Sequence, residues 1–142
     1  MEAGETLKER LARLFDARAP IRAVAVYLFG SHVAERSHRE SDVDVGVLLP
    51  WDSYSTARDR FEARVDLISW LETELRVGPV DVVVLNDAPP HLARHIVTAG
   101  VRVFCSEPEI AHAFLRDVML RAADLEPFLR RARRTKLDAL AR

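Results

Sequence analysis

The chain has 142 residues, 49% of them hydrophobic and 30% charged, with a formal net charge of -1. That apolar fraction excludes general disorder, and the near-neutral balance gives no bulk attraction to nucleic acid or anionic lipid, so direct nucleic-acid binding is not expected. The single cysteine, Cys105, excludes an internal disulfide framework and reads as a small core residue in a reducing compartment.

Met1 to Arg10 is charged throughout, and no run approaches the ~20 apolar residues of a bilayer span, so a cytoplasmic protein without membrane contact is expected. The length suits one domain over 1–142, with a core at about 20–105 and a helical extension at about 107–142. Residues 5–18 place Leu7, Leu11, Leu14 and Phe15 at helical spacing, and Pro20 bars continuation. Ile21 to Phe29 is a nearly unbroken apolar run closed by Gly30, which predicts a strand buried on both faces. Ser31 is placed as N-cap of a short helix to about Ser37.

Val43 to Leu49 reads as a second strand closed by Pro50. From Thr56 to Val77, Phe61, Val65, Ile68, Leu71 and Leu75 predict a long helix facing the core, with Gly78-Pro79 as its stop. Val80 to Leu85 forms a third strand, 91–99 a short helix and Val101 to Cys105 a fourth strand. Ile110, Phe114, Val118, Leu125, Phe128 and Leu129 then mark a long final helix, bent near Pro127. The order α-β-α-β-α-β-α-β-α is an α/β fold, a small mixed sheet flanked by helices. Strands two and three, joined through a long helix, are expected to be parallel neighbours, whereas strands one and two, a dozen residues apart, are expected to be antiparallel.

That topology gathers the Gly30-Ser31 turn, the Asp42-x-Asp44 pair and Asp81 at one sheet end. Side chains i and i+2 of a strand share a face about 6.5–7 Å apart, so Asp42 and Asp44 address one site, and Asp81 adds a carboxylate from the neighbouring strand about 5 Å away. Clustered carboxylates repel unless a cation holds them, and hard oxygen donors suit magnesium or manganese. Gly30 permits close backbone approach and Ser31 offers its hydroxyl and helix N-terminal amides to phosphate oxygens. Two metal ions would activate an attacking hydroxyl and stabilise leaving pyrophosphate, with Asp81 as metal ligand or general base, which is nucleotidyl transfer. Either motif alone is weak, because Gly-Ser turns and Asp-x-Asp pairs are common; their convergence carries the argument. Asp66 and Asp87 read as surface residues.

With Gly-Ser, ten intervening residues and Asp-x-Asp falling on Gly30, Ser31, Asp42 and Asp44, and an acidic strand at Val80-Asp81-Val82-Val83, the chain resembles the minimal nucleotidyltransferase family of the DNA polymerase beta-like superfamily. Similarity runs on through Leu85 to Pro90, Ile96 and Gly100-Val101, so it spans roughly residues 20–105. It implies the polymerase beta-like nucleotidyltransferase fold, magnesium at Asp42, Asp44 and Asp81, and ATP phosphates at Gly30 and Ser31. Where many members carry Arg after Gly-Ser and a later Arg-Gly, this chain has His32 and Glu35-Arg36, which leaves the shape of the phosphate loop open. Arg36 and Arg39 are candidate phosphate clamps against the alternative of solvated loop arginines, and His32 reads rather as a partly exposed helix residue.

Small members of this family are commonly paired with a helical HEPN-domain protein. The resemblance therefore implies an adenylyltransferase antitoxin that moves AMP from ATP onto a tyrosine of a HEPN ribonuclease toxin. Two alternatives stay open: a binding antitoxin that neutralises its partner by occlusion, and a transferase acting on a small-molecule alcohol such as an aminoglycoside. The chain shows no second domain to enclose an acceptor, so the acceptor is expected from another chain. The basic cluster Arg130, Arg131, Arg133, Arg134 and Lys136 is either a docking surface or a solvated helix end. Trp51 and Tyr54 are candidates for stacking on adenine, meeting a partner or packing at the core edge.

Overall fold

The computed structural model describes residues 4–30 and 42–141. The elements run α1 (Leu7–Arg18), β1 (Ala25–Phe29), β2 (Val43–Leu48), α2 (Ala57–Leu75), β3 (Val80–Val84), α3 (Pro90–Ala99), β4 (Val101–Cys105) and α4 (Pro108–Leu140), with a 3-10 turn at Leu85–Asp87. The expected helix from Ser31 lies outside the described residues. The strands form one mixed sheet in the order β3-β2-β1-β4. β1 runs antiparallel to β2 and β2 parallel to β3, as the connection lengths predict, and β1 also pairs antiparallel with β4.

Two cores sandwich the sheet. Val26, Leu28, Val43, Val45 and Val47 point towards α1 and α2, where Leu11, Leu14, Leu67 and Leu71 cover them. Ala25 and Tyr27 point the other way, towards Ala93 and Ile96 of α3 and Ala111 and Val118 of α4. Gly46 lies under α3, since a Cβ there would stand 2.7 Å from Ile96 Cγ2.

Several boundaries and faces differ from expectation. The β1 ladder begins at Ala25 rather than Ile21. Residues 21–24 approach it in irregular backbone, with the Arg22 amide donating to Tyr54 Oη and the Val24 amide to the Leu48 carbonyl. α2 stops at Leu75, ahead of Gly78, because Arg76 takes a left-handed φ of 52° as C-cap and Arg10 of α1 donates to the last carbonyls, Glu74 and Leu75. The buried stripe of α2 is Arg60, Ala63, Leu67, Leu71 and Leu75, whereas Phe61 is 59% and Val65 47% exposed. Leu71 and Leu75 face inward as expected, and the first turns differ where Arg60 is held inward by polar partners, a preference that hydrophobic periodicity does not register. In α4 the buried residues are the small Ala111 and Ala122 and Val118, with Ile110 and Phe128 exposed. Pro127 sits inside one continuous helix, Pro108–Leu140.

Candidate active site

β2 carries Asp42 and Asp44 to the sheet end where β1 finishes. Asp44 is the register partner of Phe29 on one side and of Asp81 on the other, while Asp42 is exposed just before the ladder begins. The valines between them, Val43 and Val45, are fully buried beneath α2, so alternation along the strand turns both carboxylates to the α3 face of the sheet. Gly30 follows β1 with φ +80°, and a Cβ at this position would lie 2.3 Å from Asp44 Oδ2. Backbone of the turn and carboxylate of β2 therefore touch, and only glycine fits between them.

Asp81 is exposed, and its Oδ1 accepts a 3.4 Å hydrogen bond from Arg64 of α2. The same guanidinium donates through Nε to the Val82 carbonyl at 2.6 Å. β3 is an edge strand, and two of its outward backbone groups are taken by α2 side chains: the Val82 carbonyl by Arg64, and the Val80 amide by Glu72 Oε1 at 3.3 Å. This blunts the edge against pairing with another strand. Among the described residues, no three His, Cys, Asp or Glu side chains form a group able to hold a metal ion. The donor set of Asp42, Asp44 and Asp81 fits a hard divalent cation by its chemistry and by its backbone placement, although in this geometry the Asp81 carboxylate is turned to Arg64. Ser31, Arg36, Arg39 and His32 lie outside the described residues.

Trp51 and Tyr54 lie beyond the opposite end of β2, with about 13 Å of strand between Asp44 and that end at ~3.3 Å per residue. They serve the scaffold there. Trp51 carries the Arg60 guanidinium over its ring at 4.9 Å, and Tyr54 accepts from the Arg22 amide and packs on the core. Core-edge packing is thus the role the structure shows for Tyr54, while Trp51 is 53% exposed.

Sequence reasoning missed three polar residues that hold the scaffold of β2 and β3. Arg60, 7% exposed, donates to Asp87 Oδ2 at 2.8 Å and to the Tyr54 carbonyl at 2.8 Å, so Asp87 is a partner of a buried cation as well as a surface residue. Asn86 grips the end of β2 with both halves of its amide, accepting from Leu49 N at 2.9 Å and donating to the Leu49 carbonyl at 2.8 Å. Arg64 is the third. Two of them are arginines on a helix rich in charge, and no spacing in the sequence sets them apart.

Comparisons with known proteins place this geometry. No curated protein matches the chain. Solved structures similar in fold include a toxin-antitoxin crystallised with AMP-PNP, 24% identical at a TM-score of 0.66, with 96% of this chain and 99% of that one covered. A mutant of the toxin-antitoxin MntA-HpeT is 23% identical at a TM-score of 0.64, covering 95% of this chain and 98% of that one. A tri-AMPylated Shewanella oneidensis HEPN toxin in complex with MNT antitoxin is 21% identical at 0.56, covering 95% and 96%. The family described as polymerase beta, nucleotidyltransferase matches residues 9–109, from α1 through the carboxylate strands to the start of α4. That span takes in most of the chain, and on it rests the conclusion that the chain belongs to the polymerase beta nucleotidyltransferase family.

Proposed function

We propose that the chain is a magnesium-dependent adenylyltransferase that moves AMP from ATP onto a tyrosine hydroxyl of a HEPN ribonuclease toxin in the cytoplasm, and so acts as its antitoxin. A single nucleotidyltransferase domain, with its core at about 20–105, does the work. The observation that carries this reading is the contact of the Gly30 turn with Asp44, with Asp81 in register on the next strand. Family membership supports the chemistry. Two similar folds support the substrate and acceptor, one solved with AMP-PNP and one with an AMPylated HEPN toxin.

In this mechanism the Gly30-Ser31 turn brings backbone amides and the serine hydroxyl against the triphosphate, with Arg36 and Arg39 as further phosphate contacts. Asp42, Asp44 and Asp81 would hold magnesium, one ion or two, with manganese as a substitute; the metal supplies charge neutralisation for the phosphates and the leaving pyrophosphate. The acceptor oxygen forms a bond to the α-phosphorus while the bond from that phosphorus to the bridging oxygen breaks. Asp81 is positioned to take the hydroxyl proton once its carboxylate leaves Arg64.

The test is incubation of the chain with labelled ATP, magnesium and a co-encoded HEPN-domain protein. Covalent label on that protein, lost with Asp42→Ala and with Asp44→Ala, is the expected result. Neutralisation retained by both variants without label would assign the antitoxin effect to occlusion. Label on an aminoglycoside in place of the protein would assign a small-molecule acceptor.

A further inference from the structure

The last buried residue of α4 is Ala122, yet the helix continues to Leu140, about 27 Å further at ~1.5 Å per residue. Most of a helix's stability in water comes from packing of an amphipathic face, which this stretch lacks within the chain, and Pro127 inside it removes a backbone donor. Its sequence is not that of a solvated helix end. Ala111, Val118 and Ala122 line the face packed on the sheet and α3, and the same row runs on through Leu125, Leu129, Ala132, Lys136 and Ala139 at alternating steps of three and four. That is the 3.5-residue repeat of a helix seam built to meet another helix. On the uncovered half, Phe128, Arg131, Ala132, Thr135, Lys136 and Ala139 form one open face of the helix, with the two alanines low among longer side chains.

Charge narrows the occupant. Five Lys and Arg residues stand between 130 and 136, and with the whole chain at -1 the remainder is net acidic. Glu126 is already engaged by Arg130 at 3.3 Å and by Arg133 at 3.8 Å, beside His91 of α3 at 3.6 Å, where the helix parts from the body. Two copies joined along this strip would set one cationic seam against another, with Lys136 in the row itself.

We infer that the strip from Leu125 to Leu140 is the docking surface for an amphipathic helix of the toxin partner, which seats apolar side chains over Ala132 and Ala139 and carries Asp or Glu residues against Arg131, Arg133 and Lys136. This rests on the functional reading above for the partner's identity. It places the main attachment on α4, apart from the carboxylates, so that the toxin is held while its hydroxyl visits the catalytic end.

The test compares the full chain with the triple variant Arg131→Glu, Arg133→Glu, Lys136→Glu and with Ala132→Trp, which puts bulk on the strip without changing charge. Affinity for the co-encoded HEPN-domain protein is measured by calorimetry at low and high salt, with thermal melts of each chain alone as the folding control. Expected are a 100-fold or greater loss for the triple variant, a tenfold or greater loss for Ala132→Trp, and a wild-type affinity that falls with salt. Wild-type affinity in both variants overturns the docking surface while leaving the functional reading intact. A concentration-dependent dimer of the chain alone, abolished by Ala132→Trp, would assign the strip to a second copy and overturn it too. A wild-type chain that binds no HEPN protein overturns the functional reading and the partner named here together.

Discussion

Replacing Gly30 by alanine separates the site's chemistry from the fold's stability. The glycine has φ +80°, where an L-residue costs about 1–2 kcal/mol. For a chain of this size that corresponds to a melting temperature lower by roughly 3–8 °C. The added Cβ would stand 2.3 Å from Asp44 Oδ2, and relief to van der Waals distance requires the carboxylate to move about 1 Å. For catalysis the same displacement is large, since a misplacement of about 1 Å in a reacting constellation costs on the order of 100-fold in rate. Gly30→Ala is therefore expected to melt as a cooperative, slightly weakened protein and to label the HEPN partner about two orders of magnitude more slowly. The assay pairs thermal denaturation with single-turnover transfer from labelled ATP. A variant that transfers AMP at the wild-type rate would refute the reasoning, because the contact between turn and carboxylate would then be irrelevant to the reaction. Gly46→Ala is the control: its Cβ would meet Ile96 Cγ2 at 2.7 Å, so it should lose about 1–3 kcal/mol of stability through overpacking under α3.

Arg60→Leu keeps the bulk but removes the donor to Asp87 and to the Tyr54 carbonyl, and should destabilise by about 2–3 kcal/mol in urea denaturation. Asp87 is left partly exposed, which holds the loss below that of a fully buried pair. Arg64→Ala removes the cation beside Asp81 and should raise magnesium affinity several-fold in calorimetry on the chain alone, while the Val82 carbonyl loses its donor and stability falls by about 1 kcal/mol. Unchanged magnesium affinity would mean that Arg64 does not compete for that carboxylate. Burial raises the Tyr27 phenol above its usual value of 10.0, with Arg102 opposing. The folded state thus holds this proton more tightly than the unfolded chain. Its stabilising contribution is complete below about pH 10 and is lost as pH rises beyond it, so the stability of Tyr27→Phe should fall less steeply than that of wild type in melts above pH 10.

Much of this architecture was legible in residue order because the determinants are local. Apolar runs bounded by Pro20, Gly30 and Pro50 locate the first two strands, helical spacing of Leu7, Leu11, Leu14 and Phe15 locates α1, and connection lengths decide that β2 runs parallel to β3 and antiparallel to β1. The Asp42-x-Asp44 alternation puts both carboxylates on one face wherever the strand lies, since the period of a strand is two. Tertiary structure alone decided the rest. Which side of the first turns of α2 faces inward depends on Arg60 finding Asp87 and the Tyr54 carbonyl, partners 27 residues ahead and six residues behind it in the chain. The orientation of the Asp81 carboxylate depends on Arg64, and the distance of Trp51 from the carboxylates follows from the direction of β2. Short-range pattern records what a residue prefers, whereas a long polar side chain satisfies its hydrogen bonds with whatever the fold brings within reach, and that choice is made only once the sheet and helices have closed together.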